Sequence, residues 1–225
     1  MPLSKKIRDW FNRPFYLDRL FNYLPDRRPV ILDVGCGTHS ASIIKKFLPE
    51  AEYHGIDKDT SYLISEADLA LMTRFYEINL ASPSALDQIP KNHFSLIIMS
   101  HVLEHIHTGE EVILKLSECL RKDGLMYLEF PSLHSVKLPS IGKGTLNFHD
   151  DPTHVTLHDY RKLAELLKKN GFVVLESGIR RGWKRILFLW LYQLRSIISG
   201  EGLRSSHFYD ITGFASYVLA KKTTI

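Results

Sequence analysis

From residue 30 onward, short apolar runs alternate with segments of helical periodicity, and that alternation admits few folds. Strand-length runs separated by helices form βα units, and stacked βα units make a largely parallel sheet. The strand candidates are 30–34, 52–56, 75–80, 94–99, 125–130, 172–177 and 215–221. In "TGEEVILKLSECLRKDG" the apolar residues Val112, Ile113, Leu116 and Leu120 share one helix face, with a stop expected at Asp123-Gly124. In "THVTLHDYRKLAELLKKNG" Thr156 and Asp159 stand at capping-box spacing. Tyr160, Leu163, Ala164 and Leu167 form its buried face, and Asn170-Gly171 is the stop. A chain of 225 residues, 44% hydrophobic and 24% charged, can fill the core of one α/β domain.

The first strand ends abruptly in "ILDVGCGTHS". Glycines at 35 and 37, placed between a buried strand and a helix, let backbone amides approach a ligand where a side chain would block it. Asp57 closes the second strand twenty-two residues past Gly35, where a carboxylate can accept hydrogen bonds from both hydroxyls of a ribose. The third glycine of a phosphate-binding loop is absent. Ser40 stands in its place and no P-loop lysine follows.

Five segments in order, "ILDVGCGTHS", "YHGIDKD", "YEINLAS", "FSLIIMSHVLEHI" and "CLRKDGLMYLEFP", resemble the successive motifs of class I S-adenosylmethionine-dependent methyltransferases. The resemblance runs from about residue 29 to 131. It implies a Rossmann-like fold, with a seven-stranded, mostly parallel sheet whose last strand is antiparallel. S-adenosylmethionine is then expected across the carboxyl ends of the central strands. Asp33, Gly35 and Gly37 would line its methionine end, Asp57 would take the ribose, and Asn79 and Leu80 would flank the adenine. Ser100 and His101 would close the fourth strand beside the methionine moiety. Two residues depart from the family pattern: His39 replaces the loop's third glycine, and Asn79 stands where an aspartate is common. Farther on, "FHDDPTHVTLHDYRKLAELLKKNGF" is similar to a segment of bacterial methyltransferases found with cell-surface glycan biosynthesis. The acceptor expected from this is the hydroxyl or amine of a small molecule or a glycan, free or lipid-linked.

Proton removal from a hydroxyl calls for a base, and imidazole is best matched to that task near neutral pH. His154 and His149 are therefore the catalytic candidates. The cluster of His149, Asp150, Asp151, His154 and His158 contains good divalent ligands. It straddles Pro152 and a helix start, and methyl transfer from a sulfonium needs no metal, so none is expected. The residues "SHVLEHIH" carry the same ambiguity, with a turn or core role expected of His105. A formal charge of +4 permits an anionic partner without requiring one. The chain lacks a recognised RNA-binding domain and the acceptor motifs of base methylation, so nucleic acid is not the expected partner. The alternatives are a nucleic-acid methyltransferase and a non-catalytic module that binds S-adenosylmethionine. Two cysteines make no disulfide framework, and the charged N-terminus lacks a signal peptide's apolar core, which points to the cytoplasm.

The expected organisation is an N-terminal amphipathic helical extension over 1–28 and a methyltransferase domain over 29–225. In the extension Ile7, Trp10, Phe11, Phe15, Leu17 and Leu20 supply apolar surface. The domain would carry an acceptor-side loop at 131–152 and a helical insertion at 180–200. In that insertion Trp183, Ile186, Leu187, Trp190, Leu191, Leu194, Ile197 and Ile198 form an apolar stripe at helical spacing, with Arg180, Arg181, Lys184, Arg185 and Arg195 supplying charge. The run is too short to span a bilayer. It suits packing on the core, a homodimer contact, a lid over a lipid-bearing acceptor, or a helix lying on an anionic membrane.

Overall fold

The computed structural model describes residues 3–25, 28–58 and 65–223, without the side chains of 3–7. Its strands are β1 (Val30–Val34), β2 (Glu52–Asp57), β3 (Arg74–Glu77), β4 (Phe94–Ser100), β5 (Leu120–Pro131), β6 (Phe172–Ile179) and β7 (Ala215–Lys222). They form one sheet in the order β3-β2-β1-β4-β5-β7-β6. The first five strands pair in parallel, and β7 runs antiparallel to both β5 and β6. The architecture expected of a Rossmann-like methyltransferase is thus present.

The helices are α1 (Leu3–Asn12), α2 (Phe15–Leu20), α3 (Ser40–Phe47), α4 (Glu66–Leu69), α5 (Gly109–Cys119), α6 (Tyr160–Lys169), α7 (Trp183–Leu187), α8 (Leu189–Ile198) and α9 (Tyr209–Thr212). Alternation along each strand divides the core in two, because successive side chains leave opposite faces of a sheet. Leu32, Val34, Ile97 and Met99 pack with Val112, Ile113 and Leu116 of α5 and Leu163 and Leu167 of α6. Ile31, Leu96 and Ile98 pack on the other face with α3 and α2. Phe15, Leu17 and Leu20 of α2 are buried there, each contributing about 1.5–3 kcal/mol. Residues 15–20 therefore pack as part of the domain's second layer.

Several expected elements differ in extent. The N-terminal segment is two helices rather than one, broken at Pro14, whose ring and missing N–H end a helix. Ile7, assigned above to its apolar face, has a side chain outside the described residues. α5 ends at Cys119 instead of Asp123, because the amides of Asn92 and His93 take the carbonyls of Glu118 and Cys119. Leu120 then enters β5. The N-cap of α6 is Asp159, which accepts from the Arg161 amide (2.9 Å), while the Thr156 amide donates to Glu104 O instead. β3 stops at Glu77, so Asn79 and Leu80 follow the strand. The insertion is two helices, turned at Phe188.

Loop 131–152 is locally ordered. Leu138 and Leu146 pack with Phe214 and Ala215 in a small third core. Asp150 accepts from the amides of Leu146 (2.9 Å) and Asn147 (2.8 Å), closing a capping box around the 3-10 turn Phe148–Asp150.

Candidate active site

The sheet order reverses between β1 and β4, and ligands of open α/β sheets bind outside the carboxyl ends of strands at such a point. The loop after β1 holds Gly35 and Gly37 at φ 71° and 48°, in the left-handed region that favours glycine. The two glycines have different reasons to be small. A Cβ on Gly35 would lie 2.2 Å from Cγ2 of Val102, so the space over it belongs to the loop after β4. A Cβ on Gly37 would meet nothing within 4 Å, and the cradle opens there. The amide of Gly37 donates to Asp57 Oδ2 (2.9 Å) and that of Lys58 to Oδ1 (2.7 Å), which aims the carboxylate at the end of β2.

His39, in the place of a third glycine, keeps a glycine-like φ of 71°, at a cost of about 1–2 kcal/mol. Asp68 of α4 holds the loop in that shape. Although 1% exposed, it accepts from the His39 amide (3.0 Å), Ser42 Oγ (2.5 Å) and Ser65 Oγ (2.9 Å), and these bonds keep its carboxyl below the usual range despite burial. Asp33 is buried in β1 and accepts from the Tyr53 hydroxyl (2.7 Å). Burial, joined by the charge of Asp57 and opposed by the Tyr53 and Ser40 hydroxyls, pushes its carboxyl up to about 7. Cys36, between the two glycines, has its thiol buried. Desolvation, then the charges of Asp33, Asp57 and Asp68, raise it well above an ordinary thiol. Asn79 is exposed, its Oδ1 accepting from the Ala81 amide (3.0 Å), and Leu80 is buried beside it.

At the end of β4, Ser100 is half-buried and His101 has φ 56°, uncommon for a non-glycine residue. His101 Nδ1 donates to Glu104 Oε1 (3.1 Å), and its Nε2 lies 3.3 Å from Glu129 Oε1 of β5. Burial disfavours its charge, but the two carboxylates prevail and raise the imidazole to about 9. At neutral pH His101 is a cation and no base. Next to it the chain brings Glu104, His105 and His154 together, with one potential ligand atom of each within 4.8 Å of the others. His154 Nδ1 donates to Phe148 O (2.7 Å), so Nε2 carries the lone pair, 3.9 Å from both Glu104 Oε1 and Asp151 Oδ2. Glu104 is 1% exposed, and its Oε2 has no hydrogen-bond partner among the described residues.

The other members of the 149–158 cluster go elsewhere. His149 is exposed, its ring edge-on to Phe148. His158 Nε2 donates to Leu103 O (3.1 Å) inside the fold. Asp151 turns the chain by accepting from the Thr153 amide (2.8 Å), and Thr153 engages His105. Beyond His101, the ring of Tyr209 (5.7 Å between centroids) forms one wall of an open cleft of about 520 Å³. Lys143, Gly144, Thr145, Glu201, Arg204, Ser205 and Ser206 line the rest of it, with Arg204 paired to Glu201 (3.2 Å). Behind Tyr209, the guanidinium of Arg180 is held by Glu129 (2.8 Å) and Asp210 (3.0 Å), all three buried.

The sequence model of a family described as a methyltransferase domain matches residues 8–177, well over half of the chain. The chain belongs to this methyltransferase family. No curated protein matches it. Among solved structures, an S-adenosylmethionine-dependent methyltransferase from Archaeoglobus fulgidus is similar at 19% identity and a TM-score of 0.56, covering 98% of this chain and 100% of the other. One from Mesorhizobium loti is 14% identical, with a TM-score of 0.59 over 94% and 100% of the two chains. Phosphoethanolamine N-methyltransferase 2 of Haemonchus contortus, solved with S-adenosylhomocysteine and phosphomonomethylethanolamine, is 16% identical, with a TM-score of 0.61 over 96% and 56%. At these identities the likeness is one of fold.

The methyltransferase uses S-adenosylmethionine, and the cradle fits that cofactor: it opens at Gly37, carries an acid at the end of β2 and lies at the switch point. The cofactor supplies a methyl group already activated on a sulfonium. Sequence reasoning missed three residues that brace the candidate site: Asp68, Glu129 and Arg180. Asp68 sits on a short helix and Glu129 at an alternating strand position, neither of which marks a site. The sequence pattern presents Arg180 as one of the residues supplying charge to the apolar stripe, and its place at the end of the sixth strand is the one signal of its buried role.

Proposed function

We propose that the chain methylates a hydroxyl of a polyhydroxylated, anionic acceptor, a free or lipid-linked glycan. The observation that carries this reading is the cleft beyond Tyr209, where the Lys143 cation and the Arg204–Glu201 pair stand among the hydroxyls of Thr145, Ser205 and Ser206, a lining that matches an acceptor with negative charge and many hydroxyls. In this reading Asp57 binds ribose, Asp33 and the loop at Gly35 and Gly37 hold the methionine end, and Asn79 and Leu80 flank adenine. Ser100 and the His101 cation close that end from β4.

His154 is the base. Its Nδ1–H is tied to Phe148 O, so a proton leaving the acceptor lands on Nε2, and Glu104 and Asp151 stabilise the imidazolium that forms. The acceptor oxygen attacks the methyl carbon as the carbon–sulfur bond breaks, releasing S-adenosylhomocysteine. Alignment and exclusion of water supply the rest of the rate. His149, exposed and edge-on to Phe148, has no place in this proton transfer.

The test is acceptor-dependent release of S-adenosylhomocysteine across sugar nucleotides, lipid-linked sugars and RNA. Release with a sugar acceptor, and a fall in kcat of about 10²–10⁴ in His154→Gln with unchanged cofactor affinity, supports the reading. Turnover on RNA alone, or cofactor binding without turnover on any acceptor, overturns it. The grouping of Glu104, His105 and His154 also favours a second reading, in which the trio holds a divalent cation. Activity lost to a chelator and restored by metal assigns His154 to that role, whereas activity indifferent to the chelator keeps it as the base.

A further inference from the structure

α8 is amphipathic with its polarity reversed. Gln193 and Ser196 are the buried residues of this helix. Gln193 Nε2 donates to Arg204 O (3.1 Å), the Arg204 amide donates back to Gln193 Oε1 (3.3 Å), and Ser196 Oγ donates to Gly202 O (2.8 Å). These bonds fix the roll of the helix about its axis. Its apolar side consequently faces water: Trp190, Leu194, Ile197 and Ile198 are exposed, Trp190 by 63% and Ile198 by 77%, and Trp183 and Leu187 of α7 are exposed beside them. α1 widens the same surface. Trp10 packs on Trp183 (5.7 Å) and is itself partly exposed, while Phe11 stacks on Tyr192 (4.6 Å) and Tyr192 Oη donates to Phe11 O (2.8 Å). A contiguous apolar surface of this kind marks an interaction site.

Charge selects the partner. Residues 179–200 contain no Asp or Glu. Arg180, Lys184 and Arg185 turn inward, toward Glu129, Asp18 and Asp210, and so are not available to a partner as the sequence pattern implied. Arg8, Arg181 and Arg195 remain exposed without an acidic partner among the described residues; Arg181 Nη1 donates to the carbonyls of Asp210 (3.0 Å) and Ile211, so Arg8 and Arg195 carry most of the rim's outward charge. A second copy laid on this face about a twofold axis would set the same cationic rim against itself. An anionic lipid surface complements the rim and accepts tryptophans at headgroup level. No helix among the described residues is long and apolar enough to cross a membrane.

We propose that the α7–α8 ridge, with Trp10 of α1, seats the protein peripherally on an anionic lipid bilayer. The cleft lined by Glu201 and Arg204 lies at the C-terminal end of α8 and is thereby brought to the lipid surface. The seat does not depend on which acceptor the cleft takes.

Sedimentation with vesicles tests the proposal, using phosphatidylcholine alone and phosphatidylcholine mixed with phosphatidylglycerol, at low and high salt. The wild-type protein is expected to pellet with the mixed vesicles at low salt, less at high salt and least with phosphatidylcholine alone. Trp190→Glu with Leu194→Glu is expected to lower the partition at least about tenfold. Unchanged circular dichroism and unchanged S-adenosylmethionine affinity in that variant show that the fold survives. Wild-type protein left wholly in the supernatant with mixed vesicles at low salt overturns the proposal. So does a wild-type dimer that the same double substitution dissociates without any vesicle binding, which would assign the ridge to a second copy.

Discussion

Around β1 and β4 apolar side chains face inward and polar ones face the cradle; across α7 and α8 the order is reversed. The cofactor half follows the rule by which most domains bury their surface. The α7–α8 half spends its inward face on Gln193, Ser196, Lys184 and the buried Arg180 and leaves its tryptophans outside. The difference teaches that the two halves answer to different solvents: one is shaped around a ligand enclosed by protein, the other around something that arrives from outside.

The contrast breaks most severely where the halves join. Arg180→Met leaves Glu129 and Asp210 buried without their shared cation, and a loss of about 3–5 kcal/mol in urea unfolding is expected. A loss below 1 kcal/mol would mean that water already reaches the pair. Next in size is Asp57→Ala, which on the proposed cofactor pose removes charge-assisted bonds to the ribose. Calorimetry should show S-adenosylmethionine affinity down by roughly 30- to 100-fold, about 2–3 kcal/mol, with unfolding little changed. Unaltered affinity would take Asp57 out of the cofactor half.

A smaller effect follows from Asp33. Its carboxyl, raised to about 7 in the fold, holds a proton that the unfolded chain has already released, so its contribution to stability is fully present below the usual carboxylate range and is lost as pH rises toward about 7. The sulfonium cofactor favours the ionised form. Affinity should therefore climb about tenfold between about pH 6 and pH 8 in the wild type, and by less in Asp33→Asn. Identical profiles would show that binding does not draw on this proton. The smallest effect is expected at Trp190→Ser, within about 0.5 kcal/mol in unfolding, because the ring touches little protein. A large loss there would return the ridge to the core.

What the sequence made legible tracks these halves. The strands around the cradle could be read because each is a short apolar run, and Gly37 and Asp57 because a strand end limits which side chains can serve a ligand. The stripe from Trp183 to Ile198 was equally visible, but periodicity reports which residues share a face and is silent on which way that face turns. The answer lay in the Gln193–Arg204 and Arg180–Asp210 pairs, which join distant parts of the chain. His154 was singled out by its chemistry, yet its meeting with Glu104 across the fold has no local signature. Helix ends at Cys119 and Asp159 shifted because neighbouring backbone amides claimed the carbonyls and the cap.

Cys36 sits between the two glycines of the loop proposed to hold a strong methylating agent. A thiolate there would be the best nucleophile in the neighbourhood, and an alkylated sulfur would jam the cradle against Gly55, where even an added Cβ would fall 2.8 Å from Sγ. Burial, with the nearby carboxyl groups of Asp33, Asp57 and Asp68, pushes that thiol well above its ordinary value and so disfavours the thiolate. The same desolvation that makes the cradle tight thus protects the enzyme from spending its own reagent on itself.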